Sequence, residues 1–213
     1  ENPYPYFNAM IEAMDSQISR LLASLNPEVR ANTYVIFMGD NGSVMYPGNS
    51  EGTPFREGRG KGTVYEGGVH VPLIITGPSV AQGSVSESLV NSTDLYFTIM
   101  QMAGLEPAEI VPAHVTTDSS SFFSALSNPD EPSPREWIYA DHFFGTPDGV
   151  ENADYAIRNE RYKLLKFKGV EEFYDLQEDP YEYENLLTRE LSVKEQVEYR
   201  SLKEQVLALR RSD

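Results

Sequence analysis

Two adjacent side chains with hard oxygen atoms, Asp40 and Asn41, follow an apolar, β-prone run at residues 33–38. Carboxylate and amide oxygens suit Ca²⁺ and Mg²⁺, and open α/β sheets bind ligands where their strands end. An Asp-Asn-Gly sequence is also a common turn, so a metal site and a plain turn both remain open. Two ligands cannot complete a shell of about six to eight oxygens, so any metal needs further ligands from elsewhere.

A second candidate is Lys61, which lies between Gly60 and Gly62. Glycines let an anion approach the bare backbone, while the lysine ammonium neutralises the charge of that anion. Arg56 and Arg59 precede the lysine and make a local basic cluster, which predicts a small pocket for one anionic ester. The P-loop motif does not fit, because Gly62 stands where that motif has Ser or Thr. A flexible basic loop remains the alternative.

The remaining candidates are weaker. The three histidines, His70, His114 and His142, are scattered along the chain. Each can serve as a general base, as a metal ligand or as an ordinary surface residue. Residues 48–52 match Gly-x-Ser-x-Gly, but the prolines on both sides do not allow the strand and helix that a hydrolase nucleophile elbow needs.

These residues must be positioned by layers of helices and strands. An apolar stripe at offsets of three, four and seven predicts a helix over residues 7–25. Continuous apolar runs at residues 33–38 and 71–76 predict two strands that are buried on both faces, as in parallel sheets covered by helices. Residues 39–68 are irregular and rich in glycine, which is typical of a segment that lines a functional site or is mobile.

The character of the sequence changes after a predicted helix that ends at Gly104. Short β-prone runs separated by turn residues then predict antiparallel hairpins, and a capping box that starts at Ser192 predicts a terminal helix. The β-prone runs are residues 137–140, 155–158, 162–167 and 172–176. We therefore predict an α/β domain at residues 1–130 and a small antiparallel α+β domain at residues 131–213.

The composition of the 213 residues excludes several functions. A hydrophobic content of 40% and a charged content of 23% are those of a globular protein. The net charge of −16 argues against a nucleic-acid partner, because phosphate binding needs clustered lysine and arginine. The chain has no cysteine, which excludes disulfides, thiolate metal sites and a cysteine nucleophile within it. No apolar run is long enough to span a membrane.

Taken together, these segments resemble the sulfatase family of the alkaline-phosphatase-like superfamily. Residues 35–42 resemble the metal-binding strand end of the family, and residues 60–69 resemble its lysine signature. The 20-residue step from Asn41 to Lys61 is the spacing of the family. Smaller similarities follow in order along nearly the whole chain. The resemblance implies the C-terminal part of an alkaline-phosphatase-like α/β sandwich with a smaller antiparallel α+β subdomain.

The same resemblance implies hydrolysis of sulfate esters. In the family, a formylglycine made from the first residue of a C/S-x-P-x-R motif attacks sulfur beside a Ca²⁺. Asp40 and Asn41 would then be calcium ligands, and Lys61 would be a catalytic residue that holds a sulfate oxygen. The motif does not occur in this chain, so the formylglycine is expected upstream of Glu1 and the chain alone is expected to be inactive. His70 stands where the family usually has arginine.

Alternatives to a sulfatase fragment remain open. The chain could be a non-catalytic remnant or a partner chain, or it could belong to a phosphate or phosphonate monoester hydrolase of the same superfamily. The implied substrate is an aryl or carbohydrate sulfate ester, and the full-length parent is expected to be periplasmic or secreted. We also expect self-association through exposed sheet surface.

Overall fold

The computed structural model describes residues 4–44, 54–142 and 153–210 of the chain. Its helices and strands are α1 (Tyr4–Ser24), α2 (Pro27–Ala31), β1 (Val35–Met38), α3 (Glu66–Val69), β2 (Leu73–Thr76), α4 (Leu95–Met102), α5 (Pro107–Ile110), β3 (Ile138–His142), β4 (Asp154–Arg158), β5 (Tyr162–Phe167), β6 (Val170–Asp175) and α6 (Val193–Arg210). Single turns of 3-10 helix occur at Ser92–Asp94, Ser124–Leu126 and Leu186–Thr188. The predicted mixed α/β architecture with an antiparallel C-terminal sheet is confirmed.

The predicted N-terminal helix is confirmed as α1. It ends before Asn26, whose side chain accepts a 2.9 Å hydrogen bond from the amide of Glu28 and thereby caps α2. Much of the apolar stripe of α1 is exposed, and Met10 and Leu21 are 69% and 63% exposed. In the described part of the chain, no helix is both long and apolar enough to cross a membrane.

β1 and β2 form a two-stranded antiparallel sheet, in which Val35 lies opposite Thr76 and Met38 lies opposite Leu73. The prediction of two strands in a parallel sheet, buried on both faces, is therefore wrong. Ile74 in β2 is 60% exposed. An apolar run indicates that a strand tends to be buried but not which way it runs, and here the intervening segment reverses the chain.

Asp94 anchors the start of α4 with a fully buried carboxylate. One oxygen accepts a 2.7 Å hydrogen bond from the amide of Ser120, and the other accepts one of 2.7 Å from the amide of Asn91. Nε of Arg135 donates to both oxygens, at 2.8 and 3.0 Å. The predicted helix end is confirmed at Gly104, which takes a left-handed φ of +73°.

β3, β4, β5 and β6 form an antiparallel meander in that order, as predicted. Arg158 lies opposite Lys163 in the β4–β5 pair, and Lys163 lies opposite Tyr174 in the β5–β6 pair. Lys168 and Gly169 make the turn between β5 and β6 with φ values of +49° and +81°. Two left-handed residues are what a tight two-residue hairpin turn requires.

One face of this C-terminal sheet is covered by α6. Leu202 and Val206 of the helix pack in one apolar cluster with Ile157, Leu164 and Phe173 of the strands. Because successive side chains of a strand point to opposite faces, the residues between these strand positions face the other way. The sheet therefore has a second face that needs a different cover.

That second face receives the irregular segment that precedes α3. Val64 and Tyr65 are buried there in a cluster with Ala156, Leu165 and Tyr174. The end of the glycine-rich segment, at Val64 and Tyr65, is thus packed against the C-terminal sheet through apolar side chains. We call this surface of the sheet its loop face.

Candidate functional site

Backbone hydrogen bonds join the turn after β1 to the loop that carries Lys61. The amide of Lys61 donates to the carbonyl of Ser43 at 2.8 Å, and the amide of Gly42 donates to the carbonyl of Gly68 at 3.0 Å. The structure therefore brings together the segment with the candidate metal ligands and the segment with the candidate anion-binding lysine. We call residues 60–68 the lysine loop.

Close backbone packing requires glycine where the turn meets the lysine loop. A β-carbon at Gly42 would lie 1.9 Å from the carbonyl oxygen of Gly67. A β-carbon at Gly68 would lie 2.3 Å from the carbonyl oxygen of Thr63. These two positions let the backbones approach to hydrogen-bonding distance only because they lack side chains.

Lys61 lies at the tip of a tight turn from Gly60 to Thr63. The carbonyl of Gly60 accepts hydrogen bonds from the amide of Thr63 at 3.2 Å and from its hydroxyl at 2.7 Å. Gly62 takes a φ of +81°, which suits the third position of a type II turn. Thr63 is buried whereas Lys61 is exposed, so a fixed backbone presents the lysine side chain to solvent.

Asp40 and Asn41 are exposed directly after β1. Their carboxylate and amide oxygens are the donor types that Ca²⁺ binds, so the chemistry of this pair fits the predicted ion. Two side chains fill only part of a shell of about six to eight oxygens. Across residues 4–44, 54–142 and 153–210, no group of three or more Asp, Glu or His side chains is arranged to hold a metal.

Glu66, at the start of α3, is a buried carboxylate with three basic neighbours. Its Oε1 accepts a 2.7 Å hydrogen bond from Nζ of Lys163, and its Oε2 accepts one of 2.8 Å from Nη1 of Arg158. Nδ1 of His70 lies 3.0 Å from the same Oε2. Burial alone would raise the pKa of Glu66, but Lys163, His70 and Arg158 together hold it well below its usual range.

A second buried carboxylate, Glu182, joins this cluster. Its Oε2 accepts a 2.8 Å hydrogen bond from the amide of Glu66, and its Oε1 lies 2.9 Å from Nζ of Lys163. Burial raises the pKa of Glu182, and the charge of Lys163 opposes that rise. Lys163 is only 1% exposed. A buried ammonium thus lies between two buried carboxylates.

Sequence reasoning missed the role of these residues, although one signal was available. Lys163 lies inside an apolar run, between Tyr162 and Leu164, and on the same face of the strand as Leu165. A lysine whose neighbours are buried needs a buried partner. Nothing local identifies that partner, because Glu66 lies 97 positions earlier in the chain.

Arg59 is held inside the fold by an aromatic ring, a backbone carbonyl and a carboxylate. Its guanidinium lies 4.3 Å from the ring centre of Tyr65, donates to the carbonyl of Glu182 and lies 3.7 Å from the carboxylate of Glu172. Arg56 and Arg59 both line one cleft, whereas Lys61 is not among its lining residues. The predicted pocket of all three basic side chains is therefore not seen in this cleft, and aromatic and acidic groups surround the charge of Arg59.

A cleft of about 440 Å³ opens between the segment before the lysine loop and the end of the C-terminal sheet. Its basic side chains are also engaged within the chain. The guanidinium of Arg56 lies 4.6 Å from the ring centre of Tyr183, and Nη2 of Arg189 donates to Glu195 at 2.7 Å. Three arginines line the cleft, Arg56, Arg59 and Arg189, together with the carboxylates of Glu172 and Glu184.

Two family models match the chain. The model described as "Sulfatase" matches residues 2–105, and the model described as "N-sulphoglucosamine sulphohydrolase, C-terminal" matches residues 59–212. The two matches overlap across the lysine loop and together cover almost all of the chain.

Curated relatives agree with the family models. A "Sulfatase" of Formosa agariphila is 32% identical over 204 residues, which cover 85% of this chain and 35% of the relative. An "Arylsulfatase" of Clostridium perfringens is 29% identical over 196 residues, which cover 89% of this chain and 36% of the relative. The chain thus spans about a third of the length of these curated relatives.

Solved structures share the fold. One protein, whose structure is a complex with its substrate D-glucosamine-2-N,6-O-disulfate, aligns with a TM-score of 0.70 and 24% identity over 95% of this chain and 40% of its own. The phosphonate monoester hydrolase of Agrobacterium radiobacter aligns with a TM-score of 0.68 and 24% identity over 94% of this chain and 40% of its own. The chain belongs to the sulfatase family of the alkaline-phosphatase-like superfamily and corresponds to the C-terminal portion of its members.

Proposed function

We propose that this chain carries part of the active site of a sulfuric ester hydrolase, with Lys61 at the sulfate group and Asp40 and Asn41 at a Ca²⁺. The observation that supports the proposal is the 2.8 Å hydrogen bond from the amide of Lys61 to the carbonyl of Ser43. Through this bond, the lysine and the two oxygen donors belong to one local unit. A cation beside a metal site is an arrangement suited to an anionic ester.

Lys61 would hold a sulfate oxygen and stabilise the negative charge that develops in the transition state. Its ammonium is carried on a backbone already fixed by hydrogen bonds, so little reorganisation is needed during the reaction. Loss of one such stabilising group raises the barrier by about 3–4 kcal/mol. A Ca²⁺ with Asp40 and Asn41 among its ligands would supply further neutralisation of the sulfate charge.

The substrate would be an aryl or carbohydrate sulfate ester. The names of the relatives and the disulfated glucosamine bound to one structural neighbour support this class. The nucleophile would be a formylglycine encoded upstream of Glu1, and the parent protein would be secreted or periplasmic. On this proposal, the 213-residue chain does not turn over sulfate esters by itself.

The test compares the isolated chain with the protein encoded by the complete reading frame, using 4-nitrophenyl sulfate with and without Ca²⁺. We expect turnover only by the complete protein. In that protein, Lys61→Ala should lower kcat/KM by about 10²–10³, whereas Lys194→Ala, at an exposed position in α6, should leave it unchanged. Turnover by the isolated chain would refute its inactivity, and full activity of Lys61→Ala would refute the role of the lysine.

A phosphate or phosphonate monoester hydrolase is the second candidate. It is favoured by the likeness to the Agrobacterium radiobacter enzyme, which extends over 94% of this chain. Paired kinetics of the complete protein on the sulfate, phosphate and phenylphosphonate esters of 4-nitrophenol separate the two, because the preferred ester has the higher kcat/KM. A stop codon or unrelated sequence upstream of Glu1 would instead favour a non-catalytic remnant or a partner chain.

A further inference from the structure

We propose that Lys163 of the C-terminal sheet positions Lys61, by acting through Glu66 on the loop that carries it. The catalytic role of Lys61 in this inference rests on the proposed function. The physical connection from the sheet to the lysine loop rests only on the contacts described below.

The first step runs from the loop face of the sheet to α3. Arg158 and Lys163 lie opposite each other on β4 and β5, and both reach the carboxylate of Glu66, at 2.8 and 2.7 Å. Glu182 holds the backbone of the same residue, because its carboxylate accepts the amide hydrogen of Glu66 at 2.8 Å. Glu66 is therefore fixed at its side chain and at its main chain.

The second step runs from α3 to Lys61. The amide of Gly68 donates to the carbonyl of Tyr65 at 2.8 Å, and the carbonyl of Gly68 accepts from the amide of Gly42 at 3.0 Å. The turn that ends with Gly42 and Ser43 in turn holds the amide of Lys61. A displacement of α3 would therefore move Lys61 through main-chain hydrogen bonds. The backbones are so close here that neither Gly42 nor Gly68 has room for a β-carbon.

The cluster contributes orientation that the apolar contacts do not supply. Val64 and Tyr65 already bury apolar side chains against the sheet, but hydrophobic contact is non-directional. A buried ion pair contributes little net stability, because desolvation opposes the attraction. Hydrogen bonds from Lys163 and Arg158 to separate oxygens of Glu66 nevertheless fix the distance and the rotation of α3 relative to the sheet.

The experiment measures amide hydrogen exchange by NMR in the 213-residue chain carrying Lys163→Met, which keeps the length of the side chain and removes its charge. We expect exchange at Lys61 and Gly42 to rise by about tenfold or more beyond the rise that the loss of global stability produces at the amides of β4 and β5. Lys203→Met is the matched control. It removes another lysine–glutamate pair, 2.8 Å from Glu171, and should leave Lys61 unchanged.

Glu66→Gln is the second variant, since it keeps the shape of the side chain and decides the question if Lys163→Met does not fold. Unchanged exchange at Lys61 in the variants that fold would overturn the proposal. A rise at Lys61 that does not exceed the rise across the strands would also overturn it, because it would mean a purely stabilising role. In the complete protein, Lys163→Met should lower kcat more than it changes KM. If that protein does not hydrolyse sulfate esters while exchange at Lys61 rises as expected, the proposed function fails and the positioning link stands.

Discussion

Oε1 of Glu66 accepts a 2.7 Å hydrogen bond from Nζ of Lys163, although the two residues are 97 positions apart. Their side chains are 4% and 1% exposed, so the pair is screened little by solvent. It joins the lysine loop to the C-terminal sheet at a point where water cannot replace either side chain as a partner. A substitution in the sheet should therefore alter the lysine loop, and a substitution in the loop should alter the sheet.

Removal of one member of this pair should destabilise the chain strongly, although the intact pair contributes little net stability. Lys163→Met should lower the free energy of unfolding by about 3–5 kcal/mol, because Glu66 and Glu182 stay buried without their ammonium partner. Lys203→Met removes a partly exposed pair and should cost about 0.2–1 kcal/mol. Urea unfolding followed by circular dichroism measures both losses. Equal losses in the two variants would mean that burial of Glu66 and Glu182 without a cation carries no extra cost.

His70 should make stability depend on pH. Its hydrogen bond to Glu66 raises the pKa of the imidazole above 6.5 in the folded chain, and the neighbouring Arg158 and Lys163 oppose this rise. A raised folded-state pKa gives stabilisation that is complete below the unfolded pKa and lost as pH rises through the folded value. Arginine at this position keeps its charge, so the advantage of His70→Arg in Tm should grow as pH rises above about 6.5 and through the raised pKa of the imidazole.

The size of this effect is limited by solvent. The side chain of His70 is 69% exposed, so the difference should stay below about 1 kcal/mol. His114→Arg, at an exposed position, is the control and should differ from the unsubstituted chain by the same amount at every pH. A Tm difference for His70→Arg that does not change with pH would show that the ion pair with Glu66 does not form.

Among the residues around α4, substitution of Asp94 should cause the largest loss in the free energy of unfolding. Asp94→Ala should cost about 3–5 kcal/mol, because Arg135 loses its buried partner and the amides of Asn91 and Ser120 lose their acceptor. Asp118→Asn is the control, since the hydrogen bond from Arg135 to that residue goes to its backbone carbonyl. Thermal unfolding measured by calorimetry should separate the two variants clearly. A mild effect of Asp94→Ala would mean that other acceptors replace the carboxylate.

Gly42 should tolerate no side chain. In Gly42→Ala the new β-carbon meets the carbonyl oxygen of Gly67, so we expect a loss of about 3 kcal/mol and faster exchange of the amide of Lys61. Gly58→Ala has open space around its β-carbon and a φ of +77°, so only the backbone strain of about 1 kcal/mol applies. Similar losses for both variants would show that the junction can relax.

The sequence predicts self-association through exposed sheet surface, and the exposed apolar stripe of α1 is a second surface through which the isolated chain should self-associate. Sedimentation velocity should show a weight-average mass that rises with concentration, because Met10 and Leu21 leave apolar surface in contact with water. Met10→Lys should shift the chain toward monomer, whereas Gln17→Lys adds the same charge at an exposed polar position and should not. A sharp monomer peak at high concentration would refute this prediction.

Local signals predicted much of this fold. The hairpin at Lys168 and Gly169 could be predicted because turn chemistry and β-prone runs act over a few residues. The capping box of α6 was equally local, and the amide of Ser192 donates to Glu195 at 2.7 Å. The resemblance of short motifs placed Asp40 and Lys61 in one site, and their segments are in fact hydrogen-bonded. The roles assigned to those side chains remain predictions.

Relationships between distant segments could not be predicted. The direction of β1 against β2 depends on the path of the segment between them, which periodicity does not encode. Alternation shows that Lys163 shares a face with Leu165, but it does not show what covers that face. The partners of Glu66 lie 92 and 97 positions away, and only the assembled fold brings them together.

The packing of Tyr65 and Glu66 on the loop face has a consequence for recombination between relatives. A chimera joined near residue 130 would set a foreign sheet against the original lysine loop, so Glu66 would meet cations that did not evolve beside it. A junction placed before Arg59 transfers loop and sheet together, with their ion pairs and ring contacts intact. The unit that can be exchanged between such enzymes thus begins ahead of the lysine signature.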